Sequence, residues 1–146
     1  MKKLIIVLCI CLFLCGCVFH PESNYVPEYV PDGYVSHEKY LEKDRWMDVT
    51  DYYVYKYDGL PVFSENFKPL KADENGKADY IDNVKQAAKE FIEWMKSEKR
   101  AYQLKFSLDD ITEDDYAYLC RHESELIELY CYDTGTNTLH YMYSKW

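Results

Sequence analysis

The sequence predicts an α+β domain, with one long helix packed on an antiparallel sheet of four or five strands that ends in a C-terminal meander. Three observations carry this expectation. In the middle of the chain, from Asp79 to Arg100, apolar side chains recur at steps of three and four; directly afterwards the step changes to two. Three runs rich in β-branched and aromatic residues then follow, separated by breaks of four and five residues. Breaks that short join neighbouring antiparallel strands, because a parallel connection needs a crossover of a dozen residues or more.

Taken in order, the chain opens on Met1-Lys2-Lys3 and an apolar run of eleven residues from Leu4 to Leu14. That run is well short of the roughly 20 residues needed to span a hydrocarbon core. A charged start, a short apolar stretch and a small residue, Gly16, are the parts of a secretory signal peptide, which is predicted to occupy residues 1–16. Cys9, Cys11 and Cys15 lie inside it, and their aliphatic flanks offer no polar loop that could wrap a metal ion. Leu14-Cys15-Gly16-Cys17 resembles the lipobox of the bacterial lipoprotein class, a resemblance that covers residues 1–17. Cys15 stands where alanine or serine is commoner. The resemblance implies that the Cys17 sulfur takes a diacylglycerol and that cleavage just before it makes Cys17 the N-terminus. The protein would then be lipid-anchored and extracytoplasmic, on the cell membrane or the outer membrane. Two acyl chains, at about 0.8 kcal/mol per buried methylene, give stable anchoring where one does not.

Residues 17–45 hold Pro21, Pro27, Pro31 and Gly33 and no sustained periodicity. Proline fixes φ and opposes both helix and central strand, so this stretch is predicted to be a flexible tether, with the folded domain at 46–146. The near-repeat Tyr25-Val26-Pro27, Tyr29-Val30-Pro31 and Tyr34-Val35 leaves a second possibility open, a motif that binds a partner or docks on the domain.

Val49 to Tyr57 reads as a strand ended by Asp58-Gly59, and Lys71 to Lys77 as a polar loop. In the helix, Ile81, Val84, Ala88, Phe91, Ile92 and Met95 make one apolar face. Asp79 and Asp82 at its start and Lys96, Lys99 and Arg100 at its end suit the helix dipole. Tyr102, Leu104, Phe106 and Leu108 alternate with polar residues and predict a further strand, followed by Asp115 to Arg121, Leu126 to Tyr132 and Thr138 to Ser144.

Charge narrows the function. Residues 1–16 hold two of the 17 basic residues and no acid, so the remainder, with 26 acidic residues, carries a formal net charge of −11. Nucleic acid is thereby excluded as a partner, since that affinity comes largely from cations on phosphates. A turn at residues 122–125 would put Arg121 opposite Leu126, Cys120 opposite Ile127 and Cys131 opposite Tyr116, too far from Cys120 for a disulfide, so two unpaired thiols are expected. A Cys/His pair with His122 or His140 lacks any feature that would activate a thiolate.

Two groups are candidate binding residues. Asp109, Asp110, Glu113, Asp114 and Asp115 crowd one inter-strand loop that could hold Ca²⁺, though neither it nor Asp73 to Asp79 has the spacing of an EF-hand loop. Tyr130 and Tyr132, with Tyr116, Tyr118, Tyr141 and Tyr143, alternate along adjacent strands and share a face. That face is either core or an exposed aromatic platform, which beside the acidic loop would suit a cationic or aromatic-contacting protein, peptide or glycan. No phosphate loop, nucleophile elbow or cofactor motif occurs. The expected function is a non-catalytic, lipid-anchored binding module of the cell envelope; the alternative is a small envelope enzyme or Ca²⁺-dependent factor using residues 109–115.

Overall fold

The computed structural model describes residues 26–44, 49–72, 79–122 and 126–145; the expected signal peptide and Cys17 lie outside them. The chain runs β1 (Ser36–Asp44), β2 (Val49–Lys56), β3 (Lys68–Pro69), α1 (Asp79–Ser97), β4 (Tyr116–His122), β5 (Leu126–Asp133) and β6 (Thr138–Lys145). These strands form one sheet of six in the order β1-β2-β6-β5-β4-β3, with every neighbouring pair antiparallel. The α+β class, the long helix and the meander β4-β5-β6 are as expected. The strand count is not: it is six rather than four or five, and three segments account for the difference.

The first is β1, which falls inside the stretch expected to be a tether. Its sequence, Ser-His-Glu-Lys-Tyr-Leu-Glu-Lys-Asp, lacks apolar alternation because it is an edge strand, exposed from Ser36 to Lys39. Charges along an edge discourage further pairing. Register with β2 shifts between Lys39 and Leu41, so Tyr40 is the extra residue of a bulge. Ahead of β1, Pro27 and Pro31 are buried and Tyr29, Val30 and Tyr34 pack on the sheet. The folded unit therefore includes residues 26–44 and does not begin at Trp46. The second segment is β3, two residues paired with Ala117 and Tyr116, where Pro69 has no N–H to extend the ladder.

The third is Tyr102 to Leu108, which is not a strand. Single 3-10 turns occupy Ala101–Gln103 and Leu108–Asp110, with extended backbone between them. From Leu104 on, the alternation reports burial: Leu104, Phe106 and Leu108 pack on the core while Lys105 and Ser107 are exposed; Tyr102, 77% exposed, departs from it. The segment crosses the sheet face instead of joining an edge. Its Lys105 N–H goes to the Tyr52 hydroxyl, 3.1 Å away.

Helix α1 buries Ile81, Val84, Ala87, Ala88, Phe91 and Met95 against one face of the sheet, the face of Tyr52, Val54, Leu129 and Met142. It ends in a Schellman motif: Arg100 N–H donates to the Met95 carbonyl at 2.8 Å and Lys99 N–H to that of Lys96 at 3.0 Å. Lys99 takes the left-handed conformation, with φ of 59°, at the position glycine usually fills.

The other face is a second core made mostly of tyrosine: Tyr53, Tyr55, Tyr57, Tyr130, Tyr132 and Tyr141, with Phe67 and Leu139. Tyr29 meets Tyr118 edge-on at 4.8 Å, and Tyr34 meets Tyr55 at 5.1 Å. Phe63 stacks on Tyr116 at 4.8 Å. Buried hydroxyls need partners. Tyr57 donates to the Pro31 carbonyl at 2.9 Å, and Tyr130 to Glu128 at 2.7 Å. Tyr132 lies 3.0 Å from both the Gly59 carbonyl and Asn137 Oδ1.

In the β4-β5 hairpin, His122 pairs with Leu126, so Cys120 faces Glu128 and Cys131 faces Ala117, one residue from the expected register. Strand β4 runs one residue further than the turn assignment allowed. Both thiols are free, because an odd and an even position put them on opposite faces of the sheet.

Candidate functional site

A cleft of about 370 Å³ lies between the helix-side face of the sheet and the segment that follows α1. Each element brings a side chain for a local reason. The β1 bulge supplies Tyr40, whose ring lies 5.6 Å from that of Tyr52. Alternation along β2 sends Val54 and Lys56 to this side, and along β6 it sends Thr138 and His140. The β5-β6 turn adds Asp133 and Thr136, and the crossing segment adds Lys105 and Asp110.

His140 is the deepest titratable group on the wall, 6% exposed. Its ring lies parallel to that of Tyr52, 8° between planes, and 5.0 Å from that of Phe106. Burial lowers its pKa from the usual 6.5 to about 4, against the smaller opposing pull of Asp133 and Asp110. The imidazole is neutral near pH 7. Its Nδ1 lies 3.0 Å from the Tyr52 hydroxyl, whose own ionisation burial pushes far above the usual range.

The carboxylates on the wall are held by their own backbone. Asp133 Oδ1 accepts from Gly135 N–H at 2.8 Å and Thr136 N–H at 3.2 Å, and its Oδ2 from the Thr136 hydroxyl at 2.6 Å. Asp110 Oδ2 accepts from Ser107 N–H at 2.6 Å, part of a capping box on the 3-10 turn. On the cationic side, Lys105 Nζ sits over the Tyr40 ring, 5.0 Å from its centroid.

Of the binding residues singled out from the sequence, Asp110 lines the cleft, and the others fall elsewhere or act otherwise. Asp109, Glu113 and Asp114 are exposed. Asp115, 1% exposed, is a clip: it accepts from the N–H and hydroxyl of Thr112 at 2.7 and 3.0 Å, and from those of Thr134 at 2.9 and 3.1 Å. Among the described residues, no three His, Cys, Asp or Glu side chains gather into a metal-binding group. Tyr130 and Tyr132 are 0% exposed, so they form no open platform; the segment at 26–35 and Phe63 cover that side.

Cys131 faces His140 across β5 and β6. No thiolate follows from this, since Cys131 is buried, burial pushes its thiol far up, and the His140 pKa is pushed down. The sequence reading named His140 only as a partner for cysteine and passed over Tyr40, Tyr52, Lys56 and Lys105. One signal was present: His140 shares parity with Met142, a polar ring on an aliphatic face.

Comparison with protein-family models, curated proteins and solved structures finds no match to the chain. Among the described residues, no helix is long and apolar enough to cross a membrane.

Proposed function

We propose that the chain is a lipid-anchored, non-catalytic binding module on the outer side of a bacterial membrane, with the cleft above His140 as its ligand site. Leu14-Cys15-Gly16-Cys17 behind a basic start and a short apolar run is the observation that carries the anchoring. Binding at the cleft draws support from its size, within the roughly 300–1,000 Å³ usual for small-molecule sites, and from its mixture of apolar wall and convergent polar groups. Absence of catalysis draws support from the chemistry of the pair nearest a nucleophile and base, since Cys131 and His140 are both held neutral.

Cys17→Ser tests the anchor. Cells fed labelled fatty acid should label the natural chain and not the variant, which should leave the membrane fraction. Label entering the Cys17→Ser chain at the natural level would refute the anchoring.

A further inference from the structure

The Tyr52 hydroxyl fixes which nitrogen of His140 carries a proton. Tyr52 is fully buried, and two groups lie within hydrogen-bond distance of its oxygen: the Lys105 backbone N–H at 3.1 Å and His140 Nδ1 at 3.0 Å. An amide N–H only donates, so the hydroxyl proton has one acceptor, Nδ1. Were Nδ1 protonated, the hydroxyl hydrogen would be buried without a partner. His140 is therefore the Nε2–H tautomer, and its hydrogen-bonded nitrogen is the one turned to Tyr52. Nε2–H is left as a donor on a residue that lines the cleft.

Donors and acceptors on the wall are then unequally occupied. Asp133 and Asp110 already accept from Gly135, Thr136 and Ser107, and the Thr138 hydroxyl donates to the Thr136 carbonyl at 3.1 Å. Against these stand the ammonium groups of Lys56 and Lys105 and the imidazole N–H. Lys56, Lys105 and the imidazole N–H are donors that an acceptor on a ligand can meet. Two lysines and two aspartates sum to zero charge, so a phosphate dianion would leave more charge uncompensated than a single carboxylate does. Val54 and the Tyr40 ring supply an apolar wall for the rest of the molecule.

We propose that the cleft takes a carboxylate, held by His140 Nε2–H and by the ammonium groups of Lys56 and Lys105. This rests on the reading of the cleft as a ligand site, and it applies equally to a small free carboxylic acid and to the terminal carboxylate of a peptide.

The test uses the full chain purified in detergent, with ¹⁵N-labelled histidine at pH 7 and the His140 resonances assigned by their loss in His140→Gln. N-acetylphenylalanine and acetyl-Gly-Gly-Phe are titrated beside their C-terminal amides. The expected result is a saturable shift of the His140 Nε2 resonance with at least one acid, its amide binding roughly tenfold more weakly or worse. Tighter binding of the tripeptide acid identifies a peptide terminus, and tighter binding of the single residue a free acid. Lys56→Gln, at an exposed position outside the core, should weaken the acid about tenfold without changing the melting temperature. Equal binding of acids and amides overturns the carboxylate and leaves the cleft as a site for another class. No shift with any probe overturns the proposal together with the cleft reading, while fatty-acid labelling at Cys17 is untouched by either outcome.

Discussion

Acid should destabilise this domain through His140. Its pKa is about 4 in the folded protein and 6.5 when unfolded, so the unfolded chain binds the extra proton first as pH falls. A group with a lowered folded pKa of this kind leaves stability unaffected above about pH 6.5, removes it progressively down to about pH 4, and removes no more below that. One pKa unit is about 1.36 kcal/mol, so the loss is on the order of 1 kcal/mol at pH 5.5 and roughly 2–3 kcal/mol at pH 4.5. Carboxylates titrate over the lower part of the same range, so His140→Phe serves as the reference. That variant loses the acceptor of the Tyr52 proton and should be roughly 1–3 kcal/mol less stable than the natural chain at pH 7.5. By pH 4.5 the gap should close or reverse, because only the natural chain has the buried imidazole of His140 to charge. Urea unfolding of both proteins at four pH values between 7.5 and 4.5 measures the gap directly. A gap that stays constant to within about 0.5 kcal/mol would refute the buried, neutral His140 and the tautomer argument built on it.

Three further outcomes follow from the packing. Tyr130→Ala should cost about 3–5 kcal/mol in urea unfolding, in the range of Leu129→Ala, because both faces of the sheet are core; a cost below about 1 kcal/mol would mean that the tyrosine face is open. Asp115→Ala should cost roughly 3 kcal/mol, since it strips the acceptor from two N–H groups and two hydroxyls in a buried clip; a surface-like loss under about 1 kcal/mol would contradict that role. Lys99→Gly should gain about 0.5–1 kcal/mol by relieving the left-handed residue at the end of α1, which a denaturation midpoint unchanged or lowered would disprove.

The sequence and the fold agree where an element carries a clear apolar stripe or sharp polar boundaries. Helix α1 and the meander were readable because Ile81, Val84, Phe91 and Met95 keep a single stripe and the strand boundaries carry short polar breaks. Strand β1 escaped because an exposed edge needs no apolar alternation, and because three prolines upstream dominate the local pattern. Leu104, Phe106 and Leu108 misled in the opposite sense: a step of two records which side is buried, and says nothing about whether the backbone pairs with a strand. Tyr130 and Tyr132 were ambiguous for a physical reason, since a tyrosine ring suits a core and a wet surface alike. Of the cleft, only Asp110 and the parity of His140 with Met142 showed in the sequence. Tyr40, Lys56, Lys105 and His140 stand far apart along the chain and meet only through a bulge, two strand parities and a crossing segment.

The segment at 26–35 also has a mechanical consequence. Under the proposed anchoring, any pull between membrane and domain reaches the described residues from the N-terminal side of Val26. The contacts it meets stand in series along the chain: Tyr29 on Tyr118, Tyr57 on the Pro31 carbonyl, Tyr34 on Tyr55, and then Val35 N–H on the Lys56 carbonyl at 2.8 Å. Contacts in series open one at a time, each loaded only after the one before it has gone, whereas β1 is held to β2 along the whole of Ser36 to Asp44. Peeling would release ten residues, about 30 Å of extra reach, while leaving the sheet, the helix and the cleft intact. Under that anchoring the segment would act as an extensible strap, and stretching it would uncover the tyrosine face that it covers when slack.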